Sequence, residues 1–375
     1  MKASLVRVAG WTYRTVGTKL FFRFDSEPIH DFMLDAGEML GNVRGVPMLV
    51  GGIFRMHYAN LTTAVAGIQF ENPVGLSAGF DHEAQLPQIV GSLGFGFESV
   101  GTITNGPYGG NPMPHMKRLV KSQAILVNKG FKSTGIDAVL ARLKGAAFPV
   151  PVGISIGRTN TNAHNSHEDA INDICEAFRK VKASDVPFSY YELNISCPNL
   201  LKDISFYIPG RLDQLFQALN VAHLGKPLFL KMPIGLSDTE TLALVAVAMK
   251  HGVTAVTFGN LQHNRSDPAF DKTEIQSVAH YKGNWAGKPC QNRSDELVLL
   301  VRRYTKGSIV IVGCGGVFTA EDAYRKIRLG ASLVQLAAGA VFMGPQVASE
   351  IGIGLSKLLA RDGFAHVADA VGSDA

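Results

Sequence analysis

Cysteine is scarce in this 375-residue chain: Cys175, Cys197, Cys290 and Cys314 are all it has. Their spacing matches neither a zinc site nor a disulfide framework, so neither is expected, and a reducing compartment is the default. No stretch reaches the eighteen apolar residues that a membrane-spanning helix needs. The start also lacks a secretory core followed by a small-residue cleavage site. No G-x-G-x-x-G fingerprint follows the first strand-like run, which argues against an open doubly wound sheet. Acidic residues are missing from positions 1–24, where Lys2, Arg7, Arg14, Lys19 and Arg23 gather. Those five cations account for the net charge of +5 and the pI of about 8.9. The remainder is near neutral, so a nucleic-acid partner is not expected.

What is present is a repeated unit. From residue 72 onward a short apolar run ends in glycine or a polar cluster, and an amphipathic segment follows. The runs are 72–79, 95–101, 151–157, 190–196, 228–233, 255–260, 308–316 and 333–339. They are too short for helices and lack alternation, as parallel strands buried on both faces do. Between them "SDTETLALVAVAMKHG" carries a capping box, Ser237 with Glu240, and a stop at Gly252. Thr319, Asp322 and Gly330 repeat the device. Eight such units predict an α/β fold, a (β/α)8 TIM barrel over residues 61–375. Two gaps are wide. Residues 102–150 are expected to hold more than one helix, and 261–292, rich in polar residues, Gly and Pro, to form a lid.

Residues 1–60 fall outside the count and predict a small helical appendage. "GWTYRTVGTKLFFRF" mixes aromatics with cations, the composition of a helix on a membrane surface. A solvated tail, a face packed on the barrel and a mitochondrial-type presequence are the alternatives.

Barrel chemistry sits at the C-terminal strand ends. Gly315-Gly316 and Ala338-Gly339, each expected to precede a helix (near Thr319 and near Gly344), read as a phosphate site where a side chain would block approach. Lys231, inside an apolar strand, is either half of a structural ion pair or a cation facing an electron-rich cofactor. Asn194, Asn199 and Asn260 offer uncharged donors and acceptors that suit a small planar ligand, although any one alone reads as a turn or cap. Cys197, followed by Pro198 and set among polar residues, is a candidate proton acceptor, with a small buried apolar residue as the alternative.

The landmarks "NPVGLSAGFD", "LGFGFESVGT", "NISCPN", "GNWAGKP" and "GGVFTAEDAYRKIRLGASLVQL" resemble the dihydroorotate dehydrogenase family in content and order. "LFFRFDSEPIHDF" is similar to its quinone-using, membrane-associated class. The resemblance implies an FMN barrel that oxidises dihydroorotate in pyrimidine biosynthesis, with a helical quinone tunnel at residues 1–60. It places the protein peripherally on the cytoplasmic face of a bacterial inner membrane, with the mitochondrial inner membrane as the alternative. It implies Cys197 as base. It implies Asn194, Asn199, Asn260, His82 and Asn128 as substrate-binding. Ala78, Gly79, Thr102, Ser155, Lys231 and Gly259 match flavin positions, and Gly315, Gly316, Ala338 and Gly339 match the phosphate site. The departures are specific. Cysteine stands where the quinone class usually has serine. His82 replaces a substrate-binding lysine. Asn128 fits only with a gap. Leu261 replaces a hydroxyl residue, and Ala337-Ala338 replaces Tyr-Thr. Two other readings stay open: a related flavin oxidoreductase on another cyclic amide such as a dihydropyrimidine, and a non-redox barrel that binds a phosphate ligand.

Overall fold

The computed structural model describes residues 2–164, 166–201 and 204–375. Eight parallel strands close into a barrel in chain order: Val74–Leu76, Phe97–Ile103, Val152–Ile156, Tyr190–Asn194, Leu228–Met232, Ala255–Phe258, Val310–Cys314 and Leu333–Leu336. Each lies inside or overlaps the apolar run that predicts it. The helix Asp238–Lys250 carries the Ser237–Glu240 capping box, and Ala320–Arg328 carries that of Thr319 and Asp322. These caps satisfy the first free N–H groups of each helix and fix where it leaves its loop.

Aromatic packing fills one end of the barrel and leaves the other for ligand. Phe97, Tyr190 and Phe229 are fully buried, and the rings of Tyr190 and Phe229 stack at 4.4 Å. Room for them comes from Gly75 and Gly153, where a Cβ would overlap the rings of Phe97 and Tyr190. The hairpin Thr63–Val65/Ile68–Phe70 closes this floor with the buried Phe70.

Above the opposite end, the two wide gaps build one cover. Residues 102–150 hold a single helix, Ile136–Arg142, and the hairpin Met116–Leu119/Ala124–Val127, rather than several helices. These strands are four residues each, the first mixing cations with apolar residues and the second a bare apolar run, and both are too short to set a period. The second gap supplies the strand Asn284–Gly287, which pairs with Ala124–Val127 in a three-stranded antiparallel sheet. Trp285 is fully buried beneath it. Glu274 accepts the N–H groups of Lys121 and Ser122 at 2.9 Å each. The expected lid is therefore a packed roof, anchored to the other insertion.

The first sixty residues are helical: Lys2–Thr12, Thr18–Phe21, Ser26–Asn42 and Val46–Phe54, with a π-helical stretch at Tyr13–Gly17. One side docks on the barrel. Arg14 forms a bidentate pair with Glu350, and the Tyr13 hydroxyl donates to the Val341 carbonyl at 2.8 Å. The other side is apolar and open. Thirteen of the nineteen exposed large hydrophobic residues among those described lie between Leu5 and Ile53. Val46–Phe54 buries no residue, and Met48 is 81% exposed. Among the described residues no helix is long and apolar enough to cross a membrane.

Candidate active site

A cavity opens at the C-terminal strand ends. Ala78, Gly79, His82, Thr102, Asn194, Cys197, Asn199, Lys231, Gly259, Asn260, Gly315, Gly316, Ala338 and Gly339 all line it. Two expected residues do not. Ser155 sits one layer below, its hydroxyl 3.1 Å from that of Thr102. Asn128 turns away: its carbonyl accepts from Asn111 and its amide donates to Pro112. The shortened "LVNKGF" segment points Asn128 behind the wall and puts Lys129, Gly130 and Phe131 on the cavity instead.

Lys231 projects from the fifth strand in register with Asn194 of the fourth. It is 3% exposed, and its ammonium donates to the Ser77 hydroxyl and the Ala78 carbonyl, both at 3.0 Å. No carboxylate pairs with it among the described residues, so the ion-pair alternative fails. The cavity lining holds three lysines, Lys129, Lys132 and Lys231, and no aspartate or glutamate. Such a lining accepts anions.

The asparagines are held as well as exposed. The Asn194 amide donates to Thr102 at 2.7 Å, and its carbonyl accepts the Ser196 hydroxyl at 2.6 Å. Asn260 donates to the Ser196 carbonyl at 2.7 Å and to the Ser196 hydroxyl. Asn199 is clamped between the Val127 carbonyl and Asn284, each at 2.9 Å. The Asn111 amide takes the Asn199 carbonyl at 2.8 Å. Asn111 and Asn284 were not singled out from the sequence, although Asn284 lies inside "GNWAGKP". Their partners are 88 and 85 positions away, which no local pattern reports.

Cys197 faces the cavity on the turn after the fourth strand. The residue is half-buried on the cavity wall, and burial of its sulfur pushes the thiol up to about 12. The Asn199 N–H and Arg158 pull in the other direction. His82 is driven down to about 2, by burial first and then by Lys129, so it is a neutral imidazole.

Packing also demands the glycines. A Cβ at Gly259 would overlap the Cys314 carbonyl, one at Gly316 would overlap Gln291, and one at Gly339 would overlap the Val317 carbonyl. They let the last three strand ends crowd together, which brings their N–H groups to the cavity. Gly79 is the contrast: at φ +104° its Cβ would meet nothing within 4 Å. The helix expected near Gly344 is present as Val347–Asp362, and Ala338 itself opens a further short helix before it, Ala338–Met343.

A second cleft runs between the N-terminal helices and the barrel. Its walls are mostly apolar, with Ile29, Met33, Leu86, Val90 and Phe95 among them and Tyr13, Ser26, His30 and Arg118 as polar exceptions. It shares His30, Phe80, Met116, Ile125 and Val341 with the first cavity. His30, which divides the two, has no local pattern that marks it. Its ring lies 4.9 Å from that of Phe80, and its Nε2 meets the Phe80 carbonyl at 2.8 Å.

A closed parallel barrel with an interior lysine, a thiol at a strand tip and an anion-accepting mouth is the layout of a barrel enzyme with its site at the C-terminal strand ends. Comparison with known proteins narrows the class. The dihydroorotate dehydrogenase family model matches residues 60–359, and the chain belongs to that family. It is 34% identical to a dihydroorotate dehydrogenase (quinone) of Natronomonas pharaonis, over 94% of this chain and 97% of that one. It is 37% identical to one of Sphingopyxis alaskensis, over 84% and 86%. Among solved structures, the enzyme of Eimeria tenella in complex with ferulenol superposes with a TM-score of 0.76 at 26% identity, covering 93% of this chain and 96% of that one.

Proposed function

We propose that the chain oxidises dihydroorotate to orotate and passes the electrons to a quinone, as a step of pyrimidine biosynthesis. The observation that carries this is the pair of joined cavities: a cationic, asparagine-rich mouth around Cys197, and an apolar cleft that meets it at His30 and Phe80. The first suits a small anionic ring and the second an apolar acceptor.

The family is flavin-dependent, and we assign FMN as the cofactor. The residues present fit it. Gly79 leaves open space over the first strand, and the mouth carries lysines without carboxylates. Gly315 and Gly316, at φ +96° and +71°, together with Ala338 and Gly339, offer backbone N–H groups at two strand ends. Ala78, Gly79, Thr102, Lys231 and Gly259 would hold the ring system, with Ser155 positioning Thr102 from below. When bound, the flavin supplies the two-electron acceptor. The protein's own task is the proton. Cys197 is assigned as the base that removes it from the carbon next to the one losing hydride, while Asn194, Asn199 and Asn260 orient the ring. Burial keeps the thiol protonated in the resting site, so proton abstraction improves as pH rises.

We assign residues 1–60 as the segment that associates with the membrane surface and 61–375 as the barrel. Support comes from the apolar open side, above all the unburied helix Val46–Phe54, and from the five cations ahead of it. Peripheral seating on the cytoplasmic face of a bacterial inner membrane follows as the location. The test is an assay of the purified protein with dihydroorotate and a short-chain quinone, with mass analysis of the released cofactor. Quinone reduction dependent on dihydroorotate, with FMN released, is the expected result. Its absence with FMN present would reject the substrate.

A further inference from the structure

A carboxylated ring entering this cavity must find a cation, because an ionised carboxylate is costly to bury unpaired. The residue expected to provide it from the sequence is His82, which stands on the cavity as a neutral imidazole and so supplies no charge. Its ring lies 6.3 Å from that of His30, its Nδ1 has no hydrogen-bond partner, and burial keeps it neutral. Two of the three cavity lysines are committed. Lys231 donates to Ser77 and Ala78. Lys132 pairs with the Glu27 carboxylate at 3.1 Å, and Glu27 also takes both contacts from His115 at 2.9 Å.

Lys129 is different. It is 8% exposed, lines the cavity, and its ammonium has no hydrogen-bond partner. No ion pair within 4 Å includes it among the described residues. Buried lysines are rare without a partner, and burial lowers its pKa against the distant pull of Asp31, Glu27 and Glu83. Its loop is tied to the turn that carries the thiol. The Asn199 amide donates to the Val127 carbonyl two positions earlier, and Asn111 bonds both to the Asn199 carbonyl and, through its N–H, to the Lys129 carbonyl.

We propose that Lys129 is the cation that binds the substrate's carboxylate, a charge moved from the loop after the first barrel strand to the roof of the site. The proposal rests on the dihydroorotate reading and deepens it. It accounts for two observations at once: a lysine replaced by a neutral histidine at 82, and an unpaired ammonium buried where the shortened 127–131 segment turns Asn128 away. An ammonium held without a partner is a cost in the ligand-free protein that a carboxylate removes on binding.

The experiment is titration of the flavin-loaded protein with orotate, followed by the flavin absorbance, in wild type, Lys129→Met and Lys129→Arg. Loss of a charged hydrogen bond should weaken orotate binding about thirtyfold or more in Lys129→Met, and Lys129→Arg should recover most of it. Flavin content should stay equal to wild type, and the ligand-free Tm of Lys129→Met should rise, since an unpaired charge has been removed. Orotate binding within threefold of wild type would overturn the proposal. So would a lowered ligand-free Tm with loss of flavin, which would mark a structural lysine. Wild-type flavin left unbleached by dihydroorotate would instead reject the substrate reading itself, and the carboxylate assignment with it.

Discussion

The two joined cavities differ in almost every property that decides what enters them. The mouth around Cys197 is built from strand ends, whose backbone positions the closed barrel sets. Its side chains are amides and lysines, locked by partners such as Thr102, Ser196 and Asn284. The cleft under the N-terminal helices is walled by leucine, isoleucine, valine, methionine and phenylalanine. It lies between a rigid barrel and helices whose polar contacts, such as Arg14–Glu350, Tyr13–Val341 and Glu27–His115, sit at its rim. The contrast teaches that a precise reacting geometry is placed on the scaffold. A site for an apolar molecule needs only shape and an open route from the membrane side.

Breaking the mouth should produce the largest effect. Cys197→Ala should lower turnover by about a thousandfold, the usual worth of a positioned base. Cys197→Ser should retain part of the activity with a displaced pH profile. In the wild type, turnover should climb between pH 7 and pH 10, because the thiol is pushed up to about 12. Steady-state rates across pH check all three, and near-full turnover in Cys197→Ala would remove the base from the account.

Next comes the apolar side. Replacing Met48 and Leu49 together by glutamate should weaken partition into anionic vesicles by about a hundredfold, since each large side chain withdrawn from the apolar phase is worth about 1.5–3 kcal/mol. Both are more than 70% exposed, so the fold should be unaffected. Vesicle sedimentation with unchanged binding would reject this surface as the anchor.

A histidine on the wall of the mouth gives a smaller, pH-dependent effect. The unfolded His82 imidazole takes a proton below about pH 6.5, whereas the folded one resists until about 2. His82 therefore contributes stability above pH 6.5 that is lost as pH falls. Asp81, raised to about 6, and Glu98, raised well above the usual range, both by burial, run the opposite way. A His82→Gln comparison removes their contribution. Relative to that variant the wild type should lose about 2 kcal/mol more between pH 7 and pH 5, measured by denaturant unfolding. Smallest, Ala36→Trp should fill the cleft and raise the KM for quinone about tenfold, leaving reduction by dihydroorotate untouched.

The same contrast explains what could be read from the sequence. Strands buried on both faces appear as bare apolar runs ending in glycine or amide, so all eight barrel strands were legible. Ser237–Glu240 and Thr319–Asp322 were legible because a cap is a local bond. The roof was not. Its strands are four residues long, and its buried Trp285 comes from a segment about 160 positions beyond its pairing partner Leu126, a separation no local period carries. Lys129 escaped notice for a related reason. Its meaning lies in the partners it lacks, and only a folded neighbourhood reveals that.

The central claim, that the Cys197 mouth oxidises dihydroorotate, is met most directly by mixing the flavin-loaded protein with dihydroorotate in the absence of oxygen. The account predicts loss of the flavin's visible absorbance in wild type and its near-complete retention in Cys197→Ala on the same timescale. A wild-type flavin that stays oxidised under excess dihydroorotate would contradict it.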